Sequence, residues 1–130
     1  MNLWLDDVRD PNDHGAIGWT WVRNVPEAQL LLAAGAVGRA SLDHDLGICD
    51  ACRQGMTDDE WFARNKGLAM PHCDHVGTGY TLCLWMAETG HWPREKPDVH
   101  SRNPVGAKRM RGVIDRYFGT RQGEPHGDTR

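Results

Sequence analysis

The 130-residue sequence predicts an α/β domain built on a short, mainly parallel sheet. Three observations carry that reading. Between residues 17 and 42 an apolar run, an apolar helical stripe and a second apolar run follow one another, and this strand, helix, strand order with a short return marks parallel pairing. Two strand-like runs end abruptly in charge, the first in Asp6 and Asp7 and the second in Asp43, His44 and Asp45. Near the C-terminus Met110, Val113, Ile114, Tyr117 and Phe118 recur at i, i+3, i+4, i+7 and i+8, the stripe of an amphipathic helix.

Taken in order, Asn2 to Leu5 reads as a short buried strand, stopped by the Asp-, Asn-, Pro- and Gly-rich DDVRDPNDHG. Ile17, Trp19 and Trp21 alternate with Gly18, Thr20 and Val22, which predicts a second strand ending near Arg23 with its aromatic face on the core. A helix is expected from about 26 to 34, with Pro26 in its first turn, Ala28, Leu31 and Leu32 on one stripe and Gly35 as terminator. Val37 to Leu42 is a third strand, with Asp43 at its carboxyl end. Thr78 caps a helix whose Leu82, Trp85 and Met86 face the core and which ends at Gly90. A short fourth strand, Asp98 to His100, runs into a helix capped by Asn103 and opened by Pro104. The other face of that helix carries Lys108, Arg109, Arg111 and Arg116, a solvated surface.

The composition bounds the function. Fifteen Lys and Arg against 18 Asp and Glu, with a pI of about 6.1, give no polycationic signature, so bulk binding to a nucleic-acid backbone is not expected. No apolar run reaches membrane-span length, and a secretory signal pattern is lacking, which predicts a cytoplasmic chain. In that setting four cysteines read as metal ligands or packed thiols, not as a disulfide framework.

Residues 48 to 76 break the α/β pattern and read as an insertion. It holds a CxxC at Cys49 and Cys52, a capping-box-like Thr57 to Glu60 opening a helix through Arg64, and the cluster PHCDH. Paired thiolates two apart chelate one tetrahedral ion through a tight turn, and a distant Cys/His pair closes the site. Cys49, Cys52, Cys73 and His75 are the expected Zn²⁺ ligands, with His72 as the alternative fourth. Such a closed site is structural, stapling an insertion too small to hold itself. Cys83, between two leucines on a helix, reads as an inert packed thiol. Trp4, Trp19, Trp21 and Trp85 fit apolar faces and read as core, Trp61 and Trp92 lie in less regular segments, and His14 and His91 have no partner visible in sequence.

In an open parallel sheet the loops at the strands' carboxyl ends form the site. Here those ends carry Asp6 and Asp7, then Asp43 to Asp45, then His100, Ser101 and Asn103. Clustered carboxylates repel unless a cation or proton lies between them, and a hard divalent ion such as Mg²⁺ or Mn²⁺ fits oxygen ligands and organises phosphate.

LDD at the first strand end and SLDHDLG at the central one resemble the receiver domain of response regulators, and Ser101 resembles its hydroxyl residue. LWLDDVRDP, W-W-VRN, SLDHDLG, TGY and VHSRNPVGAKRM together resemble a divergent group, the cyclic-phosphate-processing receiver-like domains, over most of the chain outside residues 48 to 76 and the tail. The resemblance implies a three-layer, receiver-like domain over residues 1 to 118; from Gly119 onward the sequence lacks periodicity, which predicts a disordered tail at 119 to 130. It implies Asp6, Asp7 and Asp43 as metal ligands, and Asp45 as a further ligand or a general base. His44 and His100 become acid/base candidates, and Ser101, Arg9, Arg102 and Asn103 candidate phosphate contacts.

An ordinary receiver ends with a further strand bearing a Lys, whereas here one helix follows VHS. The expected function is therefore metal-dependent hydrolysis of a cyclic phosphate ester, a small molecule or an RNA end. Two alternatives are a signalling receiver phosphorylated on Asp43 and a zinc-stabilised binding module.

Overall fold

The computed structural model describes residues 1–61 and 73–119 of the chain. Four strands, β1 (Asn2–Leu5), β2 (Thr20–Val22), β3 (Arg39–Leu42) and β4 (Asp98–Val99), form one sheet in the order β2-β1-β3-β4. Every pairing is parallel, with Trp4 opposite Trp21 on one side and Ser41 on the other. All four carboxyl ends therefore open on one rim.

Helices α1 (Val25–Ala33), α3 (Gly79–Thr89) and α4 (Pro104–Tyr117) pack on one face of this sheet, while α2 (Asp50–Gln54) belongs to the insertion. Their seat follows from strand alternation: Leu3, Leu5, Val22, Ala40 and Leu42 point one way. Ala28 and Leu32 of α1, Leu82, Cys83 and Met86 of α3, and Met110 and Ile114 of α4 meet them in one core. Fully burying each large apolar side chain is worth about 1.5–3 kcal/mol, so this single cluster supplies the main favourable term of folding.

Side-chain caps set the helix starts. The Asn24 side chain accepts from the Glu27 N–H, Thr78 and Thr81 form a reciprocal capping box, and Asn103 accepts from the Gly106 N–H. Gly90, at φ 77°, ends α3 in the left-handed conformation.

The opposite sheet face carries Trp4, Trp21 and Ser41 and is covered by the 3-10 turn Pro11–His14 and the chain after it, with Pro11 and Ala16 buried. Here the structure departs from expectation. The second strand begins at Thr20, not Ile17, because Gly18 takes φ 79° and breaks the extended backbone, leaving Ile17 78% exposed. Its core residue is Val22, on the phase opposite to the tryptophans, and Trp19 and Trp21 are half-buried under Arg39 and Arg23 respectively. Trp92 packs on the core edge-on to Phe118, and Trp61 lies under Arg53. Cys83 is fully buried, and burial pushes its thiol up to about 12.

In the insertion, Thr57 caps the helical turn opening at 58, its hydroxyl accepting from the Glu60 N–H at 3.1 Å. The expected end of that helix at Arg64, the alternative ligand His72 and the tail from 120 lie outside the described residues. Among the described residues no helix is long and apolar enough to cross a membrane.

Candidate active site

β1 and β3 pair in register, and each ends one residue before an aspartate: Leu5 before Asp6, Leu42 before Asp43. Adjacent parallel strands thus deliver two carboxylates side by side, and Asp7 joins them. Oxygens of Asp6, Asp7 and Asp43 all lie within 4.8 Å of one another. Asp6 is fully buried and Asp43 only 5% exposed, so their charge is not dispersed by water.

Electrostatics separates the three. Burial pushes Asp43 up to about 6, reinforced by the charge of Asp6 and only partly offset by His100. Asp7 is raised as well, first by burial and then by neighbouring carboxylates. Burial also pushes on Asp6, but a hydrogen bond from His100 and the N–H groups of Arg9 and Val8 outweigh it and hold its carboxyl below the usual range. Asp43 Oδ1 accepts the His44 N–H at 2.9 Å. Among the described residues the guanidinium against these groups is that of Arg9, whose Nη1 lies 3.4 Å from Asp6 and 4.0 Å from Asp43. Arg9 thus pairs, among the described residues, with two of the three converging carboxylates, which leaves excess negative charge, and this all-oxygen donor set fits a hard divalent ion.

His100 is locked against the rim. Its Nε2 lies 3.0 Å from Asp6 Oδ2, its Nδ1 lies 2.7 Å from Ser41 Oγ, and its ring stacks on Trp4 at 3.9 Å and 7°. Both ring nitrogens are engaged. Trp4, read as a core residue, is indeed buried, but it belongs to the site's support, its indole N–H donating to the Arg9 carbonyl.

His44 is held differently. Its Nδ1 lies 2.9 Å from Asp45 Oδ1, and Asp45 Oδ2 in turn accepts from Asn103 Nδ2 at 3.3 Å. Asn103 is also the cap of α4, so the helix terminus, the carboxylate and the imidazole form one connected unit. Such a carboxylate fixes the orientation and tautomer of an imidazole and leaves Nε2 for chemistry. Gly106 lies against this ring and Gly79 against the Asp43 carbonyl, each where a side chain would collide.

Of the predicted phosphate contacts, Arg9 stands beside the acidic trio. Ser101 Oγ accepts the Asn103 N–H at 3.1 Å, closing its own turn. Arg102 is exposed and lines a neighbouring cavity with Trp4, Arg9, His14 and His100. Sequence reading missed Ser41, Trp4 and His14 as neighbours of the site. Ser41 had a signal, being a lone polar residue inside an apolar strand, whereas His14 had none.

The insertion forms a second cluster. Cys49, Cys52, Cys73 and His75 bring one ligand atom each within 4.8 Å of the others, with His75 Nδ1 3.6 Å from Cys49 Sγ and 3.4 Å from Cys52 Sγ. Burial works against ionising Cys73, yet the N–H groups of Cys49 and Val76 bring its thiol down to about 7. This three-sulfur, one-nitrogen set fits Zn²⁺, with all four positions taken by protein.

A parallel α/β sheet whose first and central strands end in converging aspartates defines a receiver-like domain. The chain belongs to the cyclic-phosphate processing receiver domain family, which matches it over residues 1–116. No curated protein and no solved structure gives a match.

Proposed function

We propose that this domain hydrolyses a cyclic phosphate ester, either a cyclic nucleotide or the cyclic phosphate at an RNA end. The reading rests on one juxtaposition: the His44–Asp45 pair stands beside the Asp6, Asp7 and Asp43 trio on the same rim. A divalent ion such as Mg²⁺ or Mn²⁺ held by that trio would supply positive charge to the phosphate and lower the barrier to attack by water. Arg9 adds a guanidinium on the same side for the phosphate oxygens.

Water attacks phosphorus, the new O–P bond forms and one ring O–P bond breaks. His44, oriented by Asp45, gives its Nε2 proton to the departing oxygen. The proton lost by the water passes to solvent, from which His44 is recharged, so the net change is one water consumed and one phosphomonoester formed. His100, with both nitrogens engaged, positions the Asp6 carboxylate. The Cys49, Cys52, Cys73 and His75 cluster, filled by Zn²⁺, staples the insertion beside this rim.

The test is incubation of the purified protein with Mg²⁺ or Mn²⁺ and a panel of cyclic nucleotides and oligonucleotides ending in 2′,3′-cyclic phosphate. Ring opening to a monoester, lost in His44→Gln, is expected. An intact panel sinks the reading, and a mass gain on Asp43 after acetyl phosphate would support the signalling alternative in its place.

A further inference from the structure

We propose that the cavity beside the acidic rim is a second anion subsite, which receives a further phosphate group of the same substrate molecule. This rests on the cyclic-phosphate reading and narrows it: the substrate is a nucleotide phosphorylated at a second position.

The cavity, about 330 Å³, is lined by Trp4, Arg9, His14, His100 and Arg102. Two guanidinium groups and two imidazoles face it, and among the described residues no carboxylate lines it. That is the reverse of the trio next to it, where three carboxylates converge and Arg9 pairs with two of them. Arg9 and His100 stand at the boundary, since both contact Asp6 and both line the cavity. A ligand with one phosphate on the trio's cation would therefore place its next group among Arg9, Arg102 and His14.

The walls are fixed. Trp4 stacks on His100 at 3.9 Å and on His14 at 5.8 Å, which pins the 3-10 turn to the sheet. Asp10 caps that turn and Gly15, at φ 79°, ends it, so His14 is held over the opening. Trp4 itself is only 5% exposed, which leaves little indole face for a base to stack on. The room suits a phosphate and its sugar.

Two of the lining groups have no other employment among the described residues. Elsewhere among the described residues Arg39 pairs with Glu95, Arg53 with Asp58 and Lys96 with Asp115, while Arg23, Arg109 and Arg116 lie over aromatic rings. Arg102 makes no ion pair or hydrogen bond to a described residue, and His14 makes only its ring contact with Trp4. An exposed guanidinium on a flexible stem adds affinity chiefly where it meets an anion bidentately.

The test is calorimetry in Mg²⁺ with a nucleoside 3′-monophosphate, a nucleoside 3′,5′-bisphosphate and a dinucleotide 3′-phosphate. Wild-type protein is expected to bind one or both of the doubly phosphorylated ligands about tenfold more tightly than the monophosphate. Arg102→Ala removes most of that preference and His14→Ala a smaller part; both side chains are exposed, so neither substitution empties the core. A terminal monoester is the natural group if only the bisphosphate gains, and an oligonucleotide strand if the dinucleotide gains equally. Equal binding of all three, or a preference that survives Arg102→Ala, overturns the subsite. Because binding is read without turnover, an Arg102-dependent preference in a protein that opens no cyclic phosphate would leave the subsite standing and remove the hydrolase reading alone.

Discussion

Gly106 lies so close to His44 that a Cβ on the glycine would stand 2.5 Å from both Cγ and Cδ2 of the imidazole. In an ordinary helix Gly→Ala gains roughly 0.5–1 kcal/mol. Here the ring must move or the helix must retreat. Gly106→Ala is therefore expected to lower the melting temperature and cut ring opening by at least about tenfold. A stabilised protein with full turnover would remove His44 from the chemistry.

Asp45 reaches His44 on one oxygen and Asn103 on the other. Asp45→Asn keeps the shape and removes the charge, which leaves the imidazole free to take the wrong tautomer. A loss in kcat of about 10²–10⁴ is expected, the range for removing the function of a positioned acid/base group. Mn²⁺ affinity should change far less, since Asp45 stands outside the trio; a matching loss in affinity would make Asp45 a ligand instead.

Asp43 sets a pH dependence. Its folded value of about 6 lies above its ordinary 3.8, so its contribution to stability is fully present below about 3.8 and is lost as pH rises through 6. The gap is worth roughly 3 kcal/mol. Asp7, also raised, acts in the same direction, whereas Asp6, depressed, acts oppositely and below the ordinary carboxylate range. Metal-free protein should thus melt at a lower temperature at pH 7 than at pH 5. Mg²⁺ or Mn²⁺ should reverse that fall, with affinity rising through the same window. Thermal melts with and without the ion across pH 4.5–7.5 check both, and a metal-free melting point that climbs from pH 5 to 7 would contradict them.

Much of this fold was legible because local chemistry decides it. Thr78 and Asn103 cap where their side chains predict, and Asp6 and Asp43 meet because each ends a strand whose neighbour is fixed by parallel register. The second strand was misplaced because alternation of Ile17, Trp19 and Trp21 mimics a strand, while the left-handed backbone at Gly18 is invisible to periodicity. The division between His44 and His100 was not legible either. His100 reaches Asp6 across 94 positions and Ser41 across 59, and no local pattern encodes a hydrogen bond between residues so far apart in the chain.

The zinc cluster makes a stability prediction. α2 has five residues, none of them buried, so among the described residues no core burial anchors this helix. Cys49→Ser should release stoichiometric zinc and lower the melting temperature by at least about 4 °C, the shift from losing roughly 1 kcal/mol in a domain of this size. Because Cys49 follows Asp45 by only four residues and the Gly79 N–H donates to the His44 carbonyl at 2.9 Å, turnover should fall as well. Elemental analysis and melting of the variant are the measurements, and a zinc-free wild-type protein with an unchanged melt would dismiss the staple.

His44 and His100 are separable by what their loss changes. His100 gives Asp6 a partner at 3.0 Å and is itself held by Ser41, so its removal frees a buried carboxylate to swing or protonate. Groups that orient a metal ligand typically cost 10–100-fold in metal affinity when lost, so His100→Gln should weaken Mn²⁺ binding by about that factor. Saturating metal should then restore a large part of its turnover. His44→Gln should bind Mn²⁺ as the wild type does and stay inactive at any metal concentration. Mn²⁺ titration followed by kcat at saturation distinguishes the two. If His100→Gln instead holds its metal normally and loses kcat, the proton must travel through His100, and its bonds to Asp6 and Ser41 are the relay.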